Sequence, residues 1–486
     1  MDKEMKNKTT IILGSPGTGK TTRLLNIMEE YIAAGVEPSR IGFLSFTKKA
    51  VTEAKERALN KFPELKPKDL NYFRTIHSLA YYQMNVNRAR VITKENYSEF
   101  GNILGLELSG DTNAVDDDLY GMNRDDRYLF ISNLSRITHR PLREVWEELA
   151  DEELDWFVLE RIDRGLKQYK NNRLLVDFTD MLVNFLEQGS MPELDILFVD
   201  EAQDNSPLQW DIVHLMSKHV KEHVYIGGDD DQAIYKWAGA DVKMFIEAEG
   251  NVEVLNQSHR IPKAVHEIAM DIDNRITVRR PKEFLPRKEQ GTVEFVYNLD
   301  SIDMSKGEWL LLARNGYMLK QYEEYCVQNG YLFDSVFRSP LKSPAIKAIR
   351  AYEGFKKGKG LNEKQLSYIK RYTTTHKDVM SYKGEDLPIW HEALDKISSD
   401  EREYIIACRR NGESFATSPR IRISTIHGVK GGEAENVVVM SDLSFKTYQE
   451  MNRDRDNEHR VFYVAVTRAK NNLYLIEPST NMYYNI

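Results

Sequence analysis

Short apolar runs rich in β-branched residues alternate along the chain with stretches of helical spacing. Residues 9–13 (TTIIL) form one such run, closed by Gly14. After a glycine-rich turn, Leu24, Leu25, Ile27 and Met28 mark one face of a helix over residues 22–31. Residues 40–46 (RIGFLSF) predict the next strand and residues 48–60 the next helix. The alternation continues at 195–199 and 223–226. A second block opens at 291–297 (GTVEFVY) and 308–314 (EWLLLAR), and resumes at 420–426 (RIRISTI), 435–440 (ENVVVM) and 472–476 (NLYLI). Strands alternating with helices predict parallel sheets covered by helices on both faces.

Two stretches interrupt this rhythm. Residues 85–175 read as helical and charged, with Leu154, Val158, Ile162, Leu166 and Tyr169 recurring at about one helical turn. Within them Asp116, Asp117 and Asp118 read as a solvated loop rather than a metal site. Residues 337–418 are also helical and polar, with a Gly/Lys turn at 356–360. Each interruption falls inside an alternating block. The expected architecture is therefore α/β: two core domains with parallel sheets, each carrying a mainly helical insertion. The expected division is 1–84 with 176–255, insertion 85–175, 256–336 with 419–486, and insertion 337–418. Residues 1–8 are polar and are expected to fray.

Composition bounds what such a chain does. At roughly 150 residues per domain, 486 residues predict three domains or four small ones. With 67 Lys and Arg against 75 Asp and Glu the formal charge is −8, which excludes a globally basic coat for nucleic acid. A polyanion must then be held in a local basic cleft. Cys326 and Cys408 are too few for a disulfide framework or a four-ligand zinc site, so a reducing cytoplasm is expected. No apolar run of about 18 residues exists, and Ile11-Ile12-Leu13 is too short for a secretory signal, so no membrane is expected.

Gly14-Ser15-Pro16-Gly17-Thr18-Gly19-Lys20-Thr21 fits G-x-x-x-x-G-K-[ST] in full, between a predicted strand and a predicted helix that opens near Thr22. Its glycines let backbone N–H groups wrap phosphate oxygens at the positive end of that helix. Lys20 is placed to reach the β- and γ-phosphates of ATP, and Thr21 to ligate Mg²⁺. Downstream, residues 196–201 (ILFVDE) form an apolar strand ending in two acids. Asp200 is placed to hold Mg²⁺, and Glu201 to orient and deprotonate the attacking water. Phosphoryl transfer also needs positive charge on the transition state. Arg260 and Arg468 are candidates, although by composition alone each reads as a surface salt-bridge partner.

Together these segments resemble the UvrD/Rep/PcrA group of superfamily-one helicases. The resemblance is carried by Phe198-Val-Asp-Glu-Ala-Gln-Asp204, Gly228-Asp-Asp-Asp-Gln232-Ala-Ile-Tyr235-Lys-Trp237-Ala-Gly-Ala240, Leu255-Asn-Gln-Ser-His-Arg260, Ser424-Thr-Ile-His427-Gly-Val-Lys430-Gly-Gly-Glu433 and Arg460-Val-Phe-Tyr-Val-Ala-Val-Thr-Arg468. Ser45-Phe46-Thr47, Thr75-Ile-His77 and Asp177-Phe-Thr-Asp180 add further matches, and all stand in the family's order.

The resemblance implies two RecA-like P-loop domains with ATP in the cleft between them. It implies that Gln232 senses the γ-phosphate, that Arg260 and Arg468 reach that phosphate from the second domain, and that Glu433 binds the ribose. It assigns Phe46, Thr47, His77, Tyr235, Trp237 and His427 to a single-strand track. Stacking a base on an aromatic face is worth roughly 1–3 kcal/mol and tolerates any sequence. By themselves Tyr235 and Trp237 read equally as core, and His77 and His427 as hydrogen-bonded structural histidines.

The chain also departs from the family pattern. No Gln stands before Thr9 to read adenine, so relaxed base selectivity is expected. His259 replaces the usual adenine-stacking tyrosine, Ala238 an arginine and Gly432 a leucine, and the second insertion is short. The implied activity is an ATP-driven single-strand translocase and DNA helicase moving 3′ to 5′ on tailed or branched duplex, as a monomer when free. The alternatives are a 5′-to-3′ helicase, a protein-displacing translocase or a non-catalytic DNA-binding scaffold. Contacts to backbone and base faces do not separate DNA from RNA.

Overall fold

The structure, a computed structural model, describes residues 7–110, 122–374 and 387–486. Asp116, Asp117 and Asp118, and the first six residues of the polar N-terminal stretch, lie outside these. Two units emerge, each built on a parallel six-stranded sheet.

The first unit comprises Met1–Gln290 and Gln449–Thr467. Its strands are β1 (Thr9–Gly14), β2 (Ile41–Ser45), β3 (Phe73–Arg74), β4 (Ile196–Asp200), β5 (His223–Gly228) and β6 (Asn251–Leu255), in the order β3-β2-β4-β5-β1-β6. Successive side chains on a strand point to opposite faces, so a strand that is apolar throughout must be covered on both. Ile11 and Leu13 accordingly join Leu197, Val199 and Ile226 in one core, while Ile12 joins Phe43, Ile196 and Phe198 in the other.

Parallel pairing brings the C-terminal strand ends to one edge. The register sets Leu13 beside Gly228, Gly14 beside Leu255, and Ser45 beside Asp200. Every motif that follows one of these strands therefore emerges at the same edge.

Helices Lys94–Leu104, Arg124–Thr138, Leu142–Leu149 and Trp156–Arg173 make up the first interruption. They close on their own apolar cluster, which includes Tyr97, Phe100, Leu129, Leu159, Ile162 and Tyr169. Leu154 is buried in this cluster but precedes its helix, because Asp155 caps the helix by accepting from the N–H groups of Phe157 and Val158. A partly buried ion cluster joins Lys170 and Arg136 to Asp177 and Asp180 at the start of helix Phe178–Gln188. Burial alone would raise the Asp177 pKa, but the two cations outweigh it and hold the carboxyl low.

The second unit comprises Gly291–Tyr448 and Arg468–Ile486. Its strands are β7 (Thr292–Val296), β8 (Trp309–Ala313), β9 (Phe333–Ser335), β10 (Ile421–Thr425), β11 (Ala434–Met440) and β12 (Ala469–Ile476), in the order β7-β12-β11-β8-β10-β9. Unlike the first insertion, helices Pro344–Lys356 and Ser399–Arg410 share the sheet's own core: Ile346, Ile349, Tyr352 and Ile405 cluster with Leu311, Ile421 and Ile423. Cys326 and Cys408 are buried in that core as free thiols, and burial pushes both pKa values up, Cys408 to about 12.

The two-sheet α/β class agrees with the patterning. The allocation of segments differs: residues 256–290 and helix Arg455–Val466, expected with the second sheet, group with the first unit. Polar contacts account for this. Arg460 Nε donates to the Asp230 carbonyl at 2.8 Å, and Asp456 accepts from the Thr277 N–H at 3.0 Å. Among the described residues no helix is long and apolar enough to cross a membrane.

Candidate nucleotide and strand site

The phosphate loop leaves β1 at Gly14. Gly17 and Gly19 have φ of 74° and 83°, left-handed values that side-chain-bearing residues rarely adopt. At Gly17 a side chain is doubly excluded, since a Cβ there would lie 2.4 Å from Arg260 Cβ. Gly19 is the N-cap of helix Lys20–Ala33, and no side chain caps that end. Its first-turn N–H groups suit an anion. Lys20 Nζ donates to the Gly14 carbonyl at 2.6 Å, and Thr18 Oγ1 to the Ser15 carbonyl at 2.8 Å. Ser15, Pro16 and Lys20 are buried, whereas Thr22 is exposed.

β4 delivers Asp200 to the same edge, where Thr21 Oγ1 donates to Asp200 Oδ2 at 2.9 Å. Burial, and then the adjacent Glu201 charge, push the Asp200 carboxyl up to about 7, against the opposing pull of Thr21 and Lys20. A buried carboxylate so disfavoured as an anion, paired with a hydroxyl, is a hard-oxygen set that fits Mg²⁺.

A line of hydrogen bonds leads on from Glu201. Gln203 Nε2 donates to Glu201 Oε2 at 2.5 Å, while Gln203 Oε1 accepts from the Asp229 N–H at 3.1 Å. Asp229 Oδ2 then accepts from Gln232 Nε2 at 2.5 Å. Gln203 was not singled out from sequence, although it stands inside the quoted Asp-Glu-Ala-Gln-Asp segment.

Residues 258–260 are strapped to the phosphate loop. Ser258 Oγ donates to the Pro16 carbonyl at 2.8 Å, and the His259 N–H to the Gly17 carbonyl at 2.9 Å. Arg260 therefore sits against the loop within the first unit, not on the second domain as expected. His259 is exposed.

Three of the expected track residues lie together. Phe46 stacks on Tyr235 with centroids 5.3 Å apart, and Tyr235 meets Trp237 edge-on at 6.2 Å. Thr47 is exposed and caps helix Lys48–Lys61, accepting from the Ala50 N–H. His77 is half-buried, which lowers its pKa, and packs edge-on against Phe178 at 6.4 Å. Phe178 is 64% exposed and was missed. Its signal was an aromatic residue directly after the capping Asp177, in a segment already matched.

In the second unit, Glu433 and Arg468 lie where β11 and β12 begin, and His427 lies beyond the end of β10. In a parallel sheet these are opposite edges. Lys470 Nζ pairs with Glu433 at 2.7 Å, and buried Arg468 donates to the Gly432 carbonyl at 3.3 Å. His427 is only 2% exposed, so its ring is not open to a strand here.

Residues 3–253, just over half of the chain, match the model of the UvrD/REP helicase N-terminal domain. The chain belongs to the UvrD/REP helicase family. Residues 400–480 of this UvrD-like chain also match the UvrD-like helicase C-terminal domain, a span that contains β10, β11 and β12. A probable DNA helicase of Mycoplasma pneumoniae is 23% identical, over 98% of the UvrD-like chain and 83% of its own length. The ATP-dependent DNA helicase PcrA of Staphylococcus aureus is 22% identical, over 65% of the chain and 45% of PcrA. The chain thus spans less than half the length of that relative. An arterivirus nonstructural protein 10 helicase structure shares 12% identity at a TM-score of 0.37, over 98% of the chain and 62% of the viral one, a likeness too slight to assign function.

Proposed function

We propose that this UvrD-type DNA helicase is an ATP-driven single-strand translocase that unwinds tailed or branched duplex DNA in the 3′-to-5′ direction. The observation that carries the nucleotide half is the line Glu201–Gln203–Asp229–Gln232, which starts beside the Thr21–Asp200 pair at the phosphate loop's own sheet edge. Such a line can hold a water-activating carboxylate and a phosphate-sensing amide in fixed relation.

The loop N–H groups and Lys20 bind the phosphates, with Ser15, Pro16, Thr18 and Thr22 shaping the loop. Thr21 and Asp200 would hold Mg²⁺, which when bound neutralises charge developing on the β- and γ-phosphates. Glu201 orients the attacking water and takes its proton. Gln232 contacts the γ-phosphate, and Arg260 steadies the transferring group. By family resemblance Arg468 is a second phosphate contact, Glu433 a ribose contact and His259 a base contact. The aromatic run Phe46–Tyr235–Trp237 stacks bases, with Thr47 and His77 completing the strand contacts. Hydrolysis drives stepping because the ATP-bound and product-bound states hold the strand with different affinity. The proposal includes the four-piece division, with 256–290 and helix Arg455–Val466 moved to the first core, a free monomer, and a cytoplasmic setting.

Single-stranded DNA is expected to raise ATPase turnover, and the half-saturating DNA concentration should rise steeply with salt. Each phosphate neutralised contributes a slope of roughly −0.7 in log affinity against log salt. The check is steady-state ATPase titrated with DNA and with RNA strands between about 50 and 200 mM salt. Turnover indifferent to any strand would instead indicate a passive scaffold, and streptavidin displacement without unwinding a protein-stripping translocase.

A further inference from the structure

We propose that Lys282 is a positioning residue for ATP hydrolysis, holding Asp229 so that Asp229 in turn presents the Gln232 amide to the nucleotide. This rests on the reading of Gln232 as the γ-phosphate contact.

Asp229, Asp230 and Asp231 are consecutive, fully buried and close enough together to share one metal ion. The Lys282 ammonium stands among them instead. Its Nζ lies 3.1 Å from Asp229 Oδ1, 2.7 Å from Asp230 Oδ1 and 2.5 Å from Asp231 Oδ2, and its side chain is fully buried. An ammonium has three donors and no acceptor, so it can pin three carboxylates that would otherwise repel one another. Burial works against the Lys282 charge, but Asp229, Asp231 and Asp230 outweigh it and keep the side chain protonated.

The division of labour on Asp229 is the decisive detail. One carboxylate oxygen, Oδ1, faces Lys282, while the other, Oδ2, accepts from Gln232 Nε2. Fixing the first oxygen fixes the second, and with it the amide plane of Gln232. Lys20 also acts electrostatically on Asp229. Without Lys282, Asp229 Oδ1 is left with the Asp231 N–H at 3.3 Å, a longer and weaker restraint, while Lys20 and Gln232 act on the same carboxylate. A buried ion network stabilises a fold little compared with apolar packing, and its best-supported use is to specify geometry. Neighbouring bonds brace the same turn: Arg279 reaches Asp231 at 2.7 Å, and the Arg280 N–H donates to Asp230 Oδ2 at 2.6 Å.

Two variants test this. The double variant Asp231→Asn with Lys282→Met removes the ammonium together with one of the acids it bridges. Asp229→Asn leaves Lys282 two acids but supplies one acceptor oxygen where Asp229 uses two. Each is taken through thermal melting, equilibrium binding of a fluorescent ATP analogue, and strand-stimulated ATPase. The expected result is folded protein, unchanged analogue affinity and unchanged KM, with kcat lower by roughly 100-fold, the scale of an ångström-size misplacement. Wild-type kcat in either folded variant overturns the inference, as does a rise in KM at constant kcat. If the double variant does not fold, Asp229→Asn alone decides. Wild-type protein with no ATPase overturns the functional reading, and this inference with it. Active wild type with unimpaired variants overturns this inference alone.

Discussion

Glu201→Gln is expected to slow steady-state ATP hydrolysis by about 10²–10⁴-fold while ATP still binds. Glu201 directly follows β4 with φ 54°, a left-handed conformation for a residue with a side chain. Such strain persists only where the surroundings fix it, and it gathers at functional sites. Here the Asp200 carboxylate accepts the Glu201 N–H at 3.1 Å, and Gln203 donates to the Glu201 side chain. Glutamine preserves size and polarity but cannot take a proton from water. Nothing in the phosphate loop is altered. Removing the Glu201 charge also removes one of the influences that raise the Asp200 pKa, so cation binding by Asp200 is not weakened. Phosphate release measured beside fluorescent-ATP binding separates the two effects. Retained turnover would remove Glu201 from the base role.

Arg260→Ala is expected to cost more, about 10³–10⁵-fold in the hydrolysis step, the range found for arginines that stabilise phosphoryl transfer. The substitution is clean for a structural reason. The backbone here is held by Ser258 on the Pro16 carbonyl and by the His259 N–H on the Gly17 carbonyl, and Arg260 Cβ forms the contact against Gly17. Alanine keeps the backbone and the Cβ and deletes the guanidinium with the two methylenes that carry it. Arg260→Lys retains the charge but not the planar fork, so it should recover only part of the rate. Single-turnover hydrolysis at saturating ATP is the measurement. A loss smaller than about tenfold would show that Arg260 is not the phosphate-stabilising arginine.

Much of the first sheet was legible because β1, β2, β4 and β5 are apolar on both faces, and only a covered parallel sheet accommodates such strands. β6 was not. Its NVEVL alternation leaves Val252 and Val254 exposed at a sheet edge, so burial wrote no apolar run there. β3 is two residues long and carries no period. The phosphate loop and the Asp200–Glu201 strand end were readable because their chemistry lies in contiguous residues. The place of Arg260 was not, since it depends on loop hydrogen bonds to Pro16 and Gly17 that no periodicity records. Lys282 escaped for the same reason: its three partners lie some fifty residues earlier, and in sequence it is one cation in a charged stretch. Polarity and helical spacing mark the second interruption in the sequence, but a one-dimensional pattern could not show that Ile346, Ile349 and Ile405 complete the second sheet's core rather than one of their own.

Unwinding of a labelled duplex with a single-stranded 3′ tail, compared with the same duplex carrying a 5′ tail or blunt ends, tests the central claim most directly. The account predicts strand separation of the 3′-tailed duplex with hydrolysable ATP, none without ATP, and none by the Lys20→Ala variant. Exclusive use of the 5′ tail would contradict the polarity, and no ATP-dependent separation of any tailed duplex would contradict the helicase itself.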